Sequence, residues 1–165
     1  MSKIFDYLYL GSAVDARNQA FIEENNIHHV IICARECKEK FPKVQYLKFP
    51  LNDFETEKIH VYFEDAHELI EKVRKNYETT RKACLVHCLV GASRSATIVI
   101  SYCMKYHNMK LNEAYQYVHS KRDIIGPNRG FCAQLWEYEA KLFGENELTM
   151  TRFDDKHPEW YWNKI

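Results

Sequence analysis

The sequence predicts an α/β domain, with a central mixed and mainly parallel sheet flanked by helices on both faces. Three observations carry that expectation. Short β-branched apolar runs alternate along the chain with stretches of helical period. At 165 residues the chain is long enough for one ordinary core. Composition is that of a globular protein, 46% apolar and 28% charged, which excludes disordered and fibrous classes.

Residues 4–10, I-F-D-Y-L-Y-L, read as a first strand closed by Gly11-Ser12, and residues 13–25 read as a helix. The run H-H-V-I-I-C-A at 28–34 suits a buried strand, and V-Q-Y-L-K-F-P at 44–50 suits another. From Ile59, apolar residues recur at Phe63, Ala66, Ile70, Val73 and Tyr77, the spacing of an amphipathic helix. The next strand is A-C-L-V-H-C at 83–88, which runs into a loop at Gly91 and a helix through T-I-V-I-S-Y-C-M. Helices near 111–121 and 129–143 complete the series. No repeat or Pro/Gly-rich linker interrupts it, so a single domain is expected, with residues 145–165 as an extension past the last of these helices.

Lys+Arg and Asp+Glu both number 23, so no basic excess advertises a nucleic-acid partner. The basic cluster Lys72, Arg74, Lys75, Arg81 and Lys82 reads as a solvated helix end. The N-terminus has no signal-peptide hydrophobic region, and Ser2 stands where myristoylation needs glycine. No apolar run approaches membrane-spanning length, so no membrane partner is expected and the cytoplasm or nucleus is the expected compartment. Six irregularly placed cysteines are then expected to be thiols, one of them a catalyst rather than a staple.

The catalyst is sought in V-H-C-L-V-G-A-S-R-S, residues 86–95. A thiolate is a strong nucleophile, but an ordinary cysteine is mostly protonated at neutral pH. A loop leaving a strand for a helix turns backbone N–H groups inward as an anion site. With Arg94 at the first turn of that helix, Cys88 is expected to be a low-pKa nucleophile. The five residues Leu89, Val90, Gly91, Ala92 and Ser93 suffice for one turn around a phosphate, and Gly91 permits the tight backbone. Arg94 supplies a planar fork for two phosphate oxygens. His87 is expected to orient the loop and steady the thiolate.

His87-Cys88, five residues, Arg94 and Ser95 resemble the signature of the cysteine-dependent protein phosphatases, in the form of their dual-specificity branch. Y-L-Y-L-G-S-A-V-D-A-R-N, F-P-L-N-D and P-N-R-G-F-C-A-Q-L-W-E-Y-E resemble the same catalytic domain in order, over roughly residues 4–143. The resemblance implies a small stand-alone phosphatase acting on phosphotyrosine and phosphoserine/threonine in proteins. It implies a phosphocysteine on Cys88, hydrolysed by water, with Ser95 hydrogen-bonding the departing thiolate. Matching the family's P-L-x-D pattern, Asp53 is the acid that protonates the leaving oxygen and then activates water. Glu55 and Glu57 are its neighbouring rivals, while Asp65 falls on the following helix. Asn128 resembles a residue that braces the phosphate loop, and a helix cap is the plainer role for it. Cys33 resembles a resolving cysteine able to trap oxidised Cys88, and filling a buried strand end is its plainer role.

Two other readings stay open. One is a phosphoinositide or RNA 5′-phosphatase on the same fold, against which the neutral loop L-V-G-A-S argues. The other is a phosphoprotein-binding module, which would have lost the cysteine or arginine. The pairs Cys33/Cys37 and Cys84/Cys88 imitate zinc half-sites, but Cys84 and Cys88 lie roughly 13 Å apart at strand rise. His60 and His67 are seven apart on a helix, also too far to chelate one ion. No metal or cofactor is expected. The extension, with Trp160, Tyr161 and Trp162, is expected to pack on the domain or to mediate self-association or a partner contact.

Overall fold

The computed structural model describes residues 1–145. The proposed extension, with its Trp160–Tyr161–Trp162 run, lies outside the described residues apart from Glu145. The elements are β1 (Ser2–Phe5), β2 (Leu8–Gly11), α1 (Ala13–Ala16), α2 (Gln19–Glu24), β3 (Ile27–Ile32) and β4 (Gln45–Lys48). They continue with α3 (Phe63–Thr80), β5 (Ala83–His87), α4 (Arg94–Tyr106), α5 (Leu111–Lys121) and α6 (Arg129–Phe143). The five strands form one sheet in the order β1-β2-β5-β3-β4. Only β1 with β2 is antiparallel; the other three pairings are parallel. The mixed, mainly parallel sheet expected from the sequence is therefore present.

Why the sheet is covered on both faces follows from its central strands. Every residue of β5 is buried, and β3 is buried without alternation from Val30 to Ile32, the pattern of strands with helices above and below. On one side α4 is the hub. All its residues from Arg94 to Met104 are buried, and it packs against α3, α5 and α6. The short helices α1 and α2 lie against β2, β5 and β3. No helix among the described residues is long and apolar enough to cross a membrane.

Two elements differ from the sequence expectation. The single strand over 4–10 is a hairpin, because Asp6 and Tyr7 form a turn and the chain doubles back to pair Lys3 with Tyr9. The helix over 13–25 is two helices, because the Asn18 side chain accepts a hydrogen bond from Phe21 N at 3.3 Å and starts a new one. Both interruptions fall inside runs whose apolar pattern continues across them.

Between α3 and α4 lies a wholly buried histidine. Ser101 Oγ donates to the Ile98 carbonyl at 2.8 Å, so it accepts from His67 Nε2 at 2.9 Å. That assigns His67 the neutral Nε2–H tautomer and leaves Nδ1 buried without a partner. Burial pushes the His67 pKa down to about 4. The unfolded chain, titrating near 6.5, takes up this proton first as pH falls. Stability is thus full above about pH 6.5 and declines as pH falls toward 4, by on the order of 2–3 kcal/mol. Urea midpoints measured across that window should fall less steeply for His67→Leu than for the native chain.

Candidate active site

The site lies where β2, β3 and β5 end. Cys88 follows β5 directly, and residues 88–93 turn from that strand into α4. The turn requires Gly91. Its φ is +77°, and a Cβ there would collide with the Gly11 carbonyl at the end of β2. Arg122 clamps the same loop from outside, with Nε donating to Gly91 O at 2.8 Å and Nη2 to Val90 O at 2.9 Å. Gly126 N donates to Ala92 O at 2.8 Å. Three consecutive carbonyls, Val90 to Ala92, are thus taken outside the loop.

The sulfur of Cys88 is at the floor of this turn, with the residue only 2% exposed. It accepts hydrogen bonds from Gly91 N and from Ser95 Oγ, each at 3.2 Å. His87 acts one atom group away. Burial holds its pKa down, so the ring is neutral, and Nδ1 donates to the Cys88 carbonyl at 3.0 Å. Its observed contact is the carbonyl and not the sulfur.

Arg94 is held by a residue that the sequence reading missed. Glu36, in the segment after β3, accepts from Nη1 at 2.9 Å and from Nη2 at 2.8 Å. Nη1 also donates to Leu51 O at 3.2 Å. Of the five guanidinium N–H groups, those bonds leave Nε–H and one Nη2–H, which are adjacent on the fork. Nε is buried with no partner. Two neighbouring donors suit two oxygens of one phosphate. The hydrogen bonds from Arg94 hold the Glu36 carboxyl below its usual range, so it stays ionised.

Asp53 faces the loop from the segment after β4. Its Oδ1 accepts from Ser93 Oγ at 2.7 Å and from Asn128 Nδ2 at 2.9 Å. Its Oδ2 has no hydrogen-bond partner among the described residues. Ser93 therefore spends its hydroxyl on the Asp53 segment, and that hydroxyl in turn accepts from Asn128 N at 3.0 Å. Asn128 makes contacts on two sides. It caps α6 by accepting from Phe131 N at 3.0 Å, and it ties Asp53 to the loop. Of the rivals, Glu57 is occupied with Asn52, whose N and Nδ2 donate to it at 2.9 and 3.0 Å. Asp65 lies in the first turn of α3. Gly130 lets the segment approach, because any Cβ there would collide with the Glu55 carbonyl. Among the described residues, no three His, Cys, Asp or Glu side chains converge as a metal-ligating set.

A cysteine and an arginine framing a strand-to-helix loop, with a carboxyl opposite, define the cysteine-dependent phosphatases. Sequence comparison narrows the class: the family described as dual specificity phosphatase, catalytic domain, matches residues 8–141, and the chain belongs to it. Dual specificity protein phosphatase 14 of Mus musculus is 39% identical over 153 residues, spanning 92% of this chain and 75% of that protein. The crystal structure of DUSP15 aligns with a TM-score of 0.79 at 31% identity, covering 84% of this chain and 86% of that one. A human tyrosine phosphatase-like serine/threonine/tyrosine-interacting protein aligns at 0.77 and 34%, covering 86% and 96%. The protein is a protein phosphatase of the dual-specificity family.

Proposed function

We propose that the chain dephosphorylates phosphotyrosine and phosphoserine/threonine through a phosphocysteine on Cys88. The observation that carries this reading is the pair of hydrogen bonds to the Cys88 sulfur, from Gly91 N and Ser95 Oγ, in a loop whose far wall is Asp53. The thiolate attacks phosphorus in line, and the P–O bond to the substrate breaks. Arg94 and the loop N–H groups hold the three equatorial oxygens. Asp53 gives its proton to the leaving oxygen, which matters most for alkoxides. The carboxylate then takes a proton from water as that water attacks phosphorus. The sulfur leaves as thiolate, met by the Ser95 hydroxyl.

One compared structure carries the name phosphatase-like, so the fold by itself does not decide catalysis. Cys88 favours catalysis, since a phosphoprotein-binding module needs an anion fork such as Arg94 but no nucleophile. A panel of phosphopeptides, phosphoinositides and 5′-phosphorylated RNA separates the substrate classes. Phosphopeptides should be hydrolysed at least about tenfold more efficiently than the others, a difference of some 1.4 kcal/mol in transition-state binding. Preference for an inositide or RNA would reverse the substrate assignment. The catalytic unit is proposed as residues 1–144, with 145–165 as an extension that packs on the domain or, as the alternative, self-associates or meets a partner.

The resolving role of Cys33 belongs to the same proposal. Ile32 is level with His87 in the parallel pair β3–β5, and Cys33 N donates to His87 O at 2.8 Å. Cys33 and Cys88 thus leave adjacent strands side by side, about 4.8 Å apart, a spacing compatible with a disulfide. Hydrogen peroxide converts the Cys88 thiolate to sulfenic acid, and the Cys33 thiol displaces water from it to form the S–S bond. Burial pushes the Cys33 thiol well up, so this step is slow until the strand end loosens. After peroxide and dithiol, Cys33→Ser should recover less activity than the native chain and lack the Cys33–Cys88 crosslink on peptide mapping. Equal recovery without a crosslink would make Cys33 core alone.

A further inference from the structure

Beside the phosphate loop, on its α1 side, lies a second cleft of about 340 Å³. Arg17, Glu36, Lys38, His87 and Leu89 are among its lining residues. It follows the carboxyl ends of the same three strands, because α1 comes after β2, residues 33–38 come after β3, and His87 closes β5. Leu89, half exposed and next to Cys88 in the chain, lines it. Its one lining carboxylate, Glu36, is already bonded to Arg94. Its two cations are not so matched: Arg17 and Lys38 are exposed, and neither side chain has an anionic partner among the described residues. The backbone on both walls is fixed by other lysines. Lys40 Nζ donates to Arg17 O at 2.8 Å, and Lys48 Nζ donates to Cys37 O at 2.6 Å.

The cleft is therefore electrostatically unbalanced, with two positive side chains, and His87 and Leu89, the neighbours of Cys88 in the chain, both line it. An extended peptide advances about 3.3–3.6 Å per residue, so one or two residues carry it across Leu89. We propose that this cleft is a substrate subsite for an anionic side chain, a carboxylate or a second phosphate, one or two residues from the scissile phosphoresidue. The proposal rests on the phosphatase reading and adds a sequence preference to it. Exposed ion pairs are individually weak and are screened by salt, so the preference should be moderate and should fade as ionic strength rises.

The test compares kcat/KM on phosphotyrosine peptides that differ only in the flanking residue: alanine, glutamate, phosphoserine or lysine. A small aryl phosphate, too short to reach the cleft, is the control. The native chain should favour glutamate or phosphoserine over alanine by roughly fivefold at low salt, chiefly through KM. A gain for both anions marks a general anionic seat, and a gain for phosphoserine alone marks a phosphate seat. The double variant Arg17→Gln/Lys38→Gln should lose the preference while aryl phosphate turnover stays unchanged. Charge reversal by Lys38→Glu should shift preference toward lysine-flanked peptides. No anionic preference in the native chain, or a preference that survives the double variant, would overturn the subsite. If aryl phosphate is turned over normally in those experiments, the phosphatase reading survives that failure. Native protein inactive on aryl phosphate and every peptide would overturn both.

Discussion

Cys88→Ser is expected to lower turnover of a small aryl phosphate by about 10⁴-fold or more, the scale on which removing an attacking nucleophile acts. The serine hydroxyl can keep the contacts from Gly91 N and Ser95 Oγ that the sulfur makes at 3.2 Å, so the loop should hold its shape. What is lost is charge: a neutral hydroxyl in the same place does not attack phosphorus at a useful rate. Circular dichroism and the thermal midpoint should stay near native, which separates lost chemistry from lost fold. Residual activity within tenfold of native would mean that another group attacks.

The second large effect is selective. Asp53→Asn should lower kcat on phosphoserine or phosphothreonine peptides by about 10²–10³-fold, within the range general acid catalysis supplies. An activated aryl phosphate, whose phenoxide leaves without help, should lose far less. Asparagine keeps an acceptor for Ser93 Oγ and Asn128 Nδ2, which lie 2.7 and 2.9 Å from Asp53 Oδ1, so the segment should stay in place. Only the proton on the other oxygen is removed. Equal losses on both leaving groups would assign Asp53 a positioning role instead.

The parts of this site visible in the sequence are those that one loop carries by itself. Cys88, Gly91, Arg94 and Ser95 sit within eight residues on a strand–turn–helix, and their spacing alone implies an anion seat. The supports around them come from far along the chain. Glu36 reaches Arg94 across 58 positions and Arg122 reaches Gly91 O across 31, and a charged residue in a polar segment has no local pattern that announces such a contact. The same limit explains the two misread elements. A turn at Asp6-Tyr7 and a cap at Asn18 each interrupt an apolar rhythm without breaking it, and only strand pairing and cap geometry disclose them. The parallel neighbours β3 and β5 were legible because both are unbroken apolar runs, and their register then placed Cys33 beside Cys88.

The central claim is that phosphate passes through the Cys88 sulfur. Rapid acid quench of the native protein turning over an aryl phosphate, followed by digestion and mass mapping, tests it most directly. A phosphate should appear on the sulfur of Cys88 during turnover, absent from Cys88→Ser and persisting longer in Asp53→Asn, where water is no longer activated. A native enzyme that turns over at full rate with no phosphate on Cys88, together with inversion of configuration at phosphorus, would contradict it.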